Sequence, residues 1–304
     1  MDDNSLAVRW SSGLAAQRRD RAIVALESSV LAQGLPAPAN RDAHQRMSGA
    51  VTSHGALPAV LAMVRGVPTI GLEGDDLERF LRREGVAKVS ARDLGWAAAR
   101  GLDGATTVAA SLALCATAGL DVFATGGIGG VHREPPFDES ADLLELSRSP
   151  VLTVCAGAKS ILDLPATFER LDSYGVAVIG FETDVFPGFF TRNTGLPLTA
   201  STDDPVEIAR AFRAHRALGR LGAMLVVQSP PADAALDERL VDEAVAQALA
   251  AAHATGIRGG AMTPFLLGAV GRATGGASLR ANLALLAANA ALAARIAVAL
   301  REAG

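Results

Sequence analysis

The sequence is poor in several residue types that mark particular classes of protein. Only 4% of its 304 residues are aromatic, and 2 are cysteine. Cys115 and Cys155 lie in apolar stretches without CxxC spacing, which indicates buried thiols in a reducing compartment and argues against a disulfide framework. A formal net charge of −4 leaves no excess of cations to neutralise a phosphate backbone, so we expect no nucleic-acid partner.

Lysine is also scarce. Of the 28 lysines and arginines, only Lys88 and Lys159 are lysine. Arginine stays protonated in proteins, whereas a buried lysine can lose its proton. A lysine that persists in such an arginine-rich chain therefore suggests a role that a guanidinium group cannot fill.

The sequence shows neither a secretory signal nor a clear membrane span. Its first ten residues are acidic and polar, where a signal peptide carries a cationic end and an apolar run. Residues 104–120 are uncharged but contain several hydroxyl side chains and fall short of the about 20 residues that a span needs. Residues 281–300 carry Asn282, Asn289 and Arg295. We expect both segments to be buried core helices of a cytoplasmic protein without a membrane partner.

Short apolar runs alternate with helical patterns, and 50% of the residues are hydrophobic. This pattern predicts a single α/β domain over residues 1–304 in three layers, α/β/α, with a largely parallel or mixed central sheet. We expect residues 1–19 to be a poorly ordered or peripheral extension. The alanine-rich region after Asp237 predicts helices in an outer layer or an oligomer contact. The predicted strands are residues 22–27, 67–72, 86–90, 121–125, 151–156, 176–181 and 223–228.

Two helix starts are predicted from capping patterns. Residues 75–78 have capping-box spacing, and residues 204–207 combine such a box with proline at the first helical position. In a parallel sheet, ligands bind beyond the carboxyl ends of the strands. Glu27, the loop after residue 125 and Lys159 all follow strands, whereas Lys88 lies inside one.

Lys159 is the candidate nucleophile. It follows a buried strand, and residues 160–163 are predicted to begin a helix. Desolvation and the positive end of a helix dipole both favour a neutral amine, which can attack a carbonyl carbon. Alternatively, this lysine extends from the helix start to solvent. Lys88, at mid-strand, either protects a sheet edge from aggregation or binds an anionic group such as phosphate.

Three further segments carry candidate site residues. The run TGGIGGVHR, from Thr125 through His132 to Arg133, provides glycines that can form an anion-binding nest, although it lacks the P-loop ending. Residues 138–142 offer three carboxylates that suit Mg²⁺ or Mn²⁺, or else Ser140 caps a helix. Glu27 is either a buried general acid or a solvated carboxylate. Asn282 is a ligand-facing amide or a polar spacer.

These segments together resemble the pseudouridine-5′-phosphate glycosidase family from about residue 20 onward. Many long strings occur in the same order, which makes the resemblance far more specific than any single motif. The matching segments are ALESSVLAQGLPAPAN (25–40), KVSARDL (88–94), TTVAA (106–110), FATGGIGGVHRE (123–134), DESADLLEL (138–146), VCAGAKSILD (154–163), TDVFPGFFTR (183–192), TPFLL (263–267) and the C-terminal SLRANLALLAANAALAA.

The resemblance implies reversible cleavage of the carbon–carbon glycosidic bond of pseudouridine 5′-phosphate to uracil and ribose 5-phosphate, in pseudouridine catabolism. It assigns Lys159 as the nucleophile of a ring-opened Schiff-base adduct and Glu27 as the proton donor. Asp138 matches the position of a Mn²⁺ site, with one ion per subunit. The family is homotrimeric with an α/β/α fold. The positions that the resemblance assigns to substrate binding are Lys88, Thr107, Val108, Thr125, His132, Ser140, Ala141, Asp142 and Asn282.

The chain departs from the family pattern at four positions, Gln33, Ala91, Phe181 and Val185, which affects fine substrate contacts more than the acid or the nucleophile. Two other functions use the same residues. One is a Schiff-base aldolase or lyase acting on another sugar phosphate, and the other is a non-catalytic phosphosugar-binding module.

Overall fold

The fold is a mixed β-sheet flanked by helices. The computed structural model describes residues 7–134, 137–257 and 262–302. Its strands are β1 (Arg9–Trp10), β2 (Ile23–Glu27), β3 (Leu57–Val64), β4 (Val67–Ile70), β5 (Val86–Val89), β6 (Asp103–Thr106), β7 (Val122–Ala124), β8 (Val131–His132), β9 (Leu152–Cys155), β10 (Leu162–Asp163), β11 (Ala177–Phe181), β12 (Ser201–Thr202) and β13 (Met224–Gln228). Its helices are α1 (Ser12–Gln17), α2 (Ala39–Ser53), α3 (Gly74–Arg82), α4 (Leu94–Ala99), α5 (Val108–Ala118), α6 (Ala141–Arg148), α7 (Leu164–Ser173), α8 (Pro205–Ala217), α9 (Glu238–Ala254), α10 (Met262–Ala273) and α11 (Ala277–Glu302).

The centre of the sheet is parallel. Strands β3, β2, β7, β9, β13 and β11 lie side by side in that order, and each neighbouring pair runs in the same direction. Strands β4 and β6 both run antiparallel to β3. The predicted α/β fold with a largely parallel or mixed sheet is therefore confirmed, and the carboxyl ends of the parallel strands meet at one edge.

All seven predicted strands are present, and two substantial ones were not predicted. Strand β3 was missed because it is apolar along its whole length and has no alternation of polar and apolar residues. Strand β6 lies within residues 104–120, which were expected to be entirely helical; the helix α5 begins only at Val108. That expectation was wrong for residues 104–106.

The unpredicted strands create an unusual junction beside the central sheet. Strand β3 continues three residues beyond Leu61, the partner of Glu27 at the end of β2. Strand β6 pairs with this extension and runs in the opposite direction, so that the carboxyl ends of β2 and β6 meet. Ser28 Oγ donates to the carbonyl of Leu61 at 2.6 Å and accepts the Thr106 N–H at 2.9 Å. The segments that follow β2 and β6 must turn away from each other at this junction, and they open a crevice above Glu27.

A small satellite core supports the strands beyond this junction. Met63, Val89 and Ala97 are buried together, and they pack with Leu94, Ala98 and Leu102. Because Met63 belongs to β3, Val89 to β5 and Ala97 to α4, this small cluster packs β5 and α4 onto the extension of β3. Lys88 therefore belongs to a unit with its own limited apolar support.

The helix α11 passes through the middle of one helical layer. It packs against α2, α8 and strands β2, β7 and β9. Its length and apolar composition would allow it to cross a membrane, but 61% of its most apolar window is buried inside the protein. Residues 281–300 thus form a core helix, as predicted from the sequence.

Helix starts follow local capping chemistry in some places and tertiary contacts in others. Asp204 accepts the Val206 N–H at 2.8 Å and Pro205 begins α8, as predicted, but the box is incomplete because the Asp204 N–H donates to Thr202 Oγ1. The predicted box at residues 75–78 is wrong, because α3 begins at Gly74 and Asp76 instead binds Arg9 and Arg79.

The start predicted at residues 160–163 is also wrong. Asp163 accepts the Ala166 N–H at 2.9 Å and caps α7, which begins at Leu164. Near the N-terminus, β1 pairs with β4 at the edge of the sheet and Leu14 of α1 is buried. Residues 1–6 of the expected N-terminal extension lie outside the described residues.

Candidate active site

A cavity of about 830 Å³ opens above the junction of β2 and β6. It receives side chains from the ends of several strands, from the starts of α5 and α6, and from α10 and α11. The sequence-predicted residues that line it are Glu27, Lys88, Thr107, Val108, His132, Asp138, Ser140, Ala141, Asp142, Lys159 and Asn282. Of the predicted site residues, only Thr125 is absent from this lining.

Glu27 lies at the floor of the cavity and is only 7% exposed. Thr125 Oγ1 donates to its Oε1 at 2.5 Å, and Ser29 Oγ donates to its Oε2 at 2.6 Å. Hydroxyl groups can donate or accept, so the same two partners can serve the ionised and the protonated carboxyl group. Of the two interpretations of Glu27, the structure favours the buried acid, and it gives Thr125 the role of orienting that acid.

Lys159 lies on a loop that extends the pairing of β7 and β9. Its N–H donates to the carbonyl of Ile128 at 3.1 Å, and its carbonyl accepts the Leu162 N–H at 3.0 Å. Because α7 begins only at Leu164, Lys159 does not lie at a helix N-terminus, and the expected contribution of a helix dipole is absent. The small residues before Lys159 instead let the loop pass beside the glycine-rich segment.

Lys88 projects from β5, which pairs with β6 alone among the described strands. The residue stays partly open to solvent but lines the cavity. Burial of its ammonium group and the nearby charge of Lys159 lower the pKa of Lys88, against the opposing influence of Asp142 and Glu27. Lys88 stands on an edge strand and also faces the site. The structure is therefore compatible with both interpretations of this residue, protection of a sheet edge and binding of an anionic group.

Neither lysine has a salt-bridge partner within the parts of the chain that the structure describes. The arginines, in contrast, make many ion pairs on the surface, such as Arg41 with Glu78. These two ammonium groups can attract a negatively charged group of a ligand to their part of the cavity, although five carboxylate side chains also line it.

Asp142 ties two walls of the cavity together. It is 6% exposed, and its Oδ1 accepts the Ala109 N–H at 2.9 Å while its Oδ2 accepts the Gly129 N–H at 2.8 Å. A Cβ at Gly129 would collide with Ser140 Oγ. The glycine-rich loop thus binds a carboxylate of its own chain at Gly129, and this glycine is required for close packing.

Helix caps account for two more predicted residues, and a third follows one of them. Ser140 caps α6 by accepting the Asp142 N–H at 3.2 Å, and Thr107 caps α5 by accepting the Ala110 N–H at 3.4 Å. Val108 follows as the first residue of α5. These residues line the cavity while fixing the helix ends there.

His132 and Asp138 stand together at the cavity wall. The backbone N–H of His132 donates to the backbone carbonyl of Asp138 at 2.9 Å. Burial, Lys159 and Lys88 lower the pKa of His132, although Asp138 acts in the opposite direction. The imidazole is therefore mostly neutral at neutral pH, and it can donate from one nitrogen and accept at the other.

The side chains around Asp138 decide whether a divalent ion fits there. Among the described residues, no group of three His, Cys, Asp or Glu side chains could hold a metal ion. Asp138 offers one carboxylate, so an ion bound here would keep most of its water ligands, as hard cations of the Mg²⁺ type often do. The protein alone does not provide a closed metal site.

Several cavity residues were not predicted. Ser29 and Phe189 line the cavity, together with Thr263 and Leu267 of α10. Among the four departures, Gln33 is the only one that appears in the described lining, and its Oε1 is a buried acceptor without a partner. Ser29 could have been found from its position two residues after Glu27, whereas the others depend on tertiary packing.

Comparison with known proteins places the chain among sugar-phosphate enzymes. The family model described as indigoidine synthase A like protein matches residues 14–299. A pseudouridine-5′-phosphate glycosidase from Gemmatimonas aurantiaca is 66% identical over 287 residues, which cover 94% of each chain. The enzyme of the same name from Herpetosiphon aurantiacus is 49% identical and covers 94% of this chain and 95% of its own.

Two solved structures share the fold over 97% of each chain. The prealnumycin C-glycosynthase AlnA, solved in complex with ribulose 5-phosphate, is 38% identical with a TM-score of 0.89. An indigoidine synthase A-like protein from Thermotoga maritima is 30% identical, also with a TM-score of 0.89.

Proposed function

The chain belongs to the indigoidine synthase A-like family, and from this premise we propose that it is a pseudouridine-5′-phosphate glycosidase. It is an enzyme that cleaves a carbon–carbon glycosidic bond, releasing uracil and ribose 5-phosphate from pseudouridine 5′-phosphate. The observation that carries the proposal is the convergence of a buried, hydroxyl-bonded Glu27 and the chain's two lysines on one cavity. The 66% identity to a glycosidase of that name supports the same reaction.

Lys159 and Glu27 divide the chemistry between them. The Lys159 amine attacks C1′ of the ribose, the C1′–O4′ bond breaks, and O4′ takes the proton that the attacking nitrogen releases. Glu27 then protonates C5 of the uracil ring. The nitrogen lone pair forms a C1′=N bond as the C1′–C5 bond breaks. The electron pair of the broken C1′–C5 bond restores the C5=C6 double bond of uracil. Water hydrolyses the iminium, which frees ribose 5-phosphate and the lysine.

Lys88 holds the phosphate in this scheme. A compact ammonium group without an internal partner provides a point charge for a phosphate group. Its position on β5, across the β2–β6 junction from Glu27, separates the anion from the reacting carbon. His132, Asn282 and Gln33 supply polar groups to the remainder of the ligand.

The proposal includes Mn²⁺ at Asp138, a homotrimer and a cytoplasmic location. The single carboxylate at Asp138 would hold the ion, whose charge would support anion binding, with water completing its shell. Exposed apolar side chains such as Phe137, Leu218 and Leu221 fit a protein with subunit contacts. Calorimetry of Mn²⁺ binding to the wild-type protein and to Asp138→Asn tests the metal site. Light scattering tests the number of subunits.

Uracil release from pseudouridine 5′-phosphate is the central test, run with and without added divalent metal. Borohydride treatment with ribose 5-phosphate should add the reduced sugar mass at Lys159. Aldehyde release from deoxyribose 5-phosphate would instead indicate an aldolase. Binding without any turnover, unaffected by Glu27→Gln, would indicate a phosphosugar-binding module.

A second candidate is a C-glycoside synthase, favoured by the 38% identity to a C-glycosynthase over 97% of both chains. The same residues could form the bond in reverse. Incubation of uracil with ribose 5-phosphate and measurement of the equilibrium and rates in both directions distinguish the two.

A further inference from the structure

An asparagine of α11 reaches the strand end that carries Thr125. Asn289 is 1% exposed, and its Nδ2 donates to the carbonyl of Thr125 at 2.8 Å and to that of Gly126 at 3.2 Å. Its Oδ1 accepts a hydrogen bond from Gln228 Nε2 at 2.9 Å. All hydrogen-bonding groups of this buried amide are thus directed at two strand ends, those of β7 and β13.

These bonds satisfy backbone carbonyls just beyond the end of β7, where the regular strand pairing of the sheet stops. Beyond β7 the chain passes into the glycine-rich loop, and the Gly126 carbonyl also accepts the Ala156 N–H at 2.9 Å. A buried carbonyl without a partner is costly, so the loop would shift to find one if the amide were removed. Such a shift would move Thr125, whose hydroxyl orients the Glu27 carboxyl group.

We propose that Asn289 is a positioning residue for Glu27, acting through the backbone and hydroxyl of Thr125. This role rests on the proposed function, since it concerns the proton donor of that reaction. Asn289 is not among the residues that line the described cavity. Its effect is carried by geometry, because displacing a catalytic group by about 1 Å can cost about 100-fold in rate.

The test compares Asn289→Ala with a matched variant. Asn40 is 2% exposed, and its Nδ2 also donates to two backbone carbonyls, those of Leu31 at 3.0 Å and Leu81 at 2.8 Å. We expect Asn289→Ala to lower kcat about 10- to 100-fold with little change in KM. Asn40→Ala should lower the melting temperature similarly while keeping kcat near the wild-type value.

A double-mutant cycle with Glu27→Gln separates positioning from general damage. Without the acid, Asn289→Ala should change the residual kcat by less than about 3-fold, because both changes remove the same function. Equal losses in the two backgrounds, or an unchanged kcat in Asn289→Ala, would overturn the proposal. Asn289→Asp, which keeps the shape and replaces the donor by an acceptor, provides a second variant if the alanine form is unstable.

The crystal structure of Asn289→Ala supplies a readout that does not depend on the reaction. The distance between Thr125 Oγ1 and Glu27 Oε1 should exceed hydrogen-bonding range. Absence of uracil release by the wild-type protein would contradict the proposed function, and this distance would still decide the role of Asn289. An unchanged distance would overturn it.

Discussion

Two neighbouring cavities of similar size share Leu162 in their linings. The second has a volume of about 720 Å³, against about 830 Å³ for the candidate site. It is lined by charged side chains as well, but Arg133 pairs there with Asp242 at 3.6 Å. The site cavity instead holds two lysines without ion pairs beside a buried carboxyl group. The two lysines without salt-bridge partners, rather than the volume, distinguish the site cavity, whose lining also includes the ion pair of Arg92 with Asp93.

The largest effect is expected for the nucleophile. Replacing Lys159 with alanine removes the amine proposed to form the adduct, and we expect kcat to fall by at least about 10⁴-fold. Lys159→Arg should be equally inactive, because a guanidinium group stays protonated. Uracil release and borohydride trapping measure this. Activity that survives in either variant would contradict the Schiff-base mechanism.

The next effect concerns the acid. Glu27→Gln keeps the size of the side chain and its acceptor oxygen but cannot deliver a proton, so we expect a loss of about 10²- to 10⁴-fold in kcat. Borohydride trapping of ribose 5-phosphate at Lys159 should persist, since that step does not require protonation of uracil. Loss of trapping along with turnover would show that Glu27 serves the lysine as well.

Asp142 is expected to affect both stability and rate. Asp142→Asn retains one acceptor oxygen and turns an NH₂ group toward one of the two N–H donors, which leaves that donor buried without a partner. We expect the free energy of unfolding to fall by about 1–3 kcal/mol. Denaturant unfolding measures it, and kcat should fall with it because both cavity walls depend on this carboxylate. Full stability in Asp142→Asn would show that the two bonds contribute little.

A smaller effect is expected in the pH dependence of anion binding. Because the pKa of Lys88 is lowered, the side chain loses its positive charge at a lower pH than an ordinary lysine does. Affinity for inorganic phosphate should therefore decline on the alkaline side, and in Lys88→Arg this decline should move to higher pH. Calorimetry across the pH range measures both. Identical profiles would place the anion elsewhere.

The smallest effect is expected in the second cavity. Asp242 is 70% exposed, so breaking its pair with Arg133 in Asp242→Asn should change stability by less than about 1 kcal/mol and leave kcat unchanged. Uracil release measures this directly. A large loss of activity would break the distinction between the two cavities.

Local patterns predicted more of the strands and motifs than of the contacts between them. The strand ending at Glu27, the strand containing Lys88 and the loop before Lys159 were all recognisable from apolar runs and small residues. The approach of Ser28 to Thr106 could not be predicted, because it depends on an antiparallel strand that joins the sheet from a distant part of the chain. Asn289 was visible only as a polar residue in an apolar helix, and nothing local indicates that its amide reaches Thr125.

The satellite core has a consequence for how the site opens. Lys88 stands on β5, which pairs with β6 alone among the described strands and packs with α4 on Met63 of β3 through a cluster of only three fully buried apolar residues. Local openings of a folded protein are drawn from units with little buried apolar support. We therefore expect amide hydrogen exchange to be faster in β5 and α4 than in β2, β7 and β9. In the proposed mechanism, the phosphate ligand Lys88 would then lie on a less stable part of the protein than the acid Glu27.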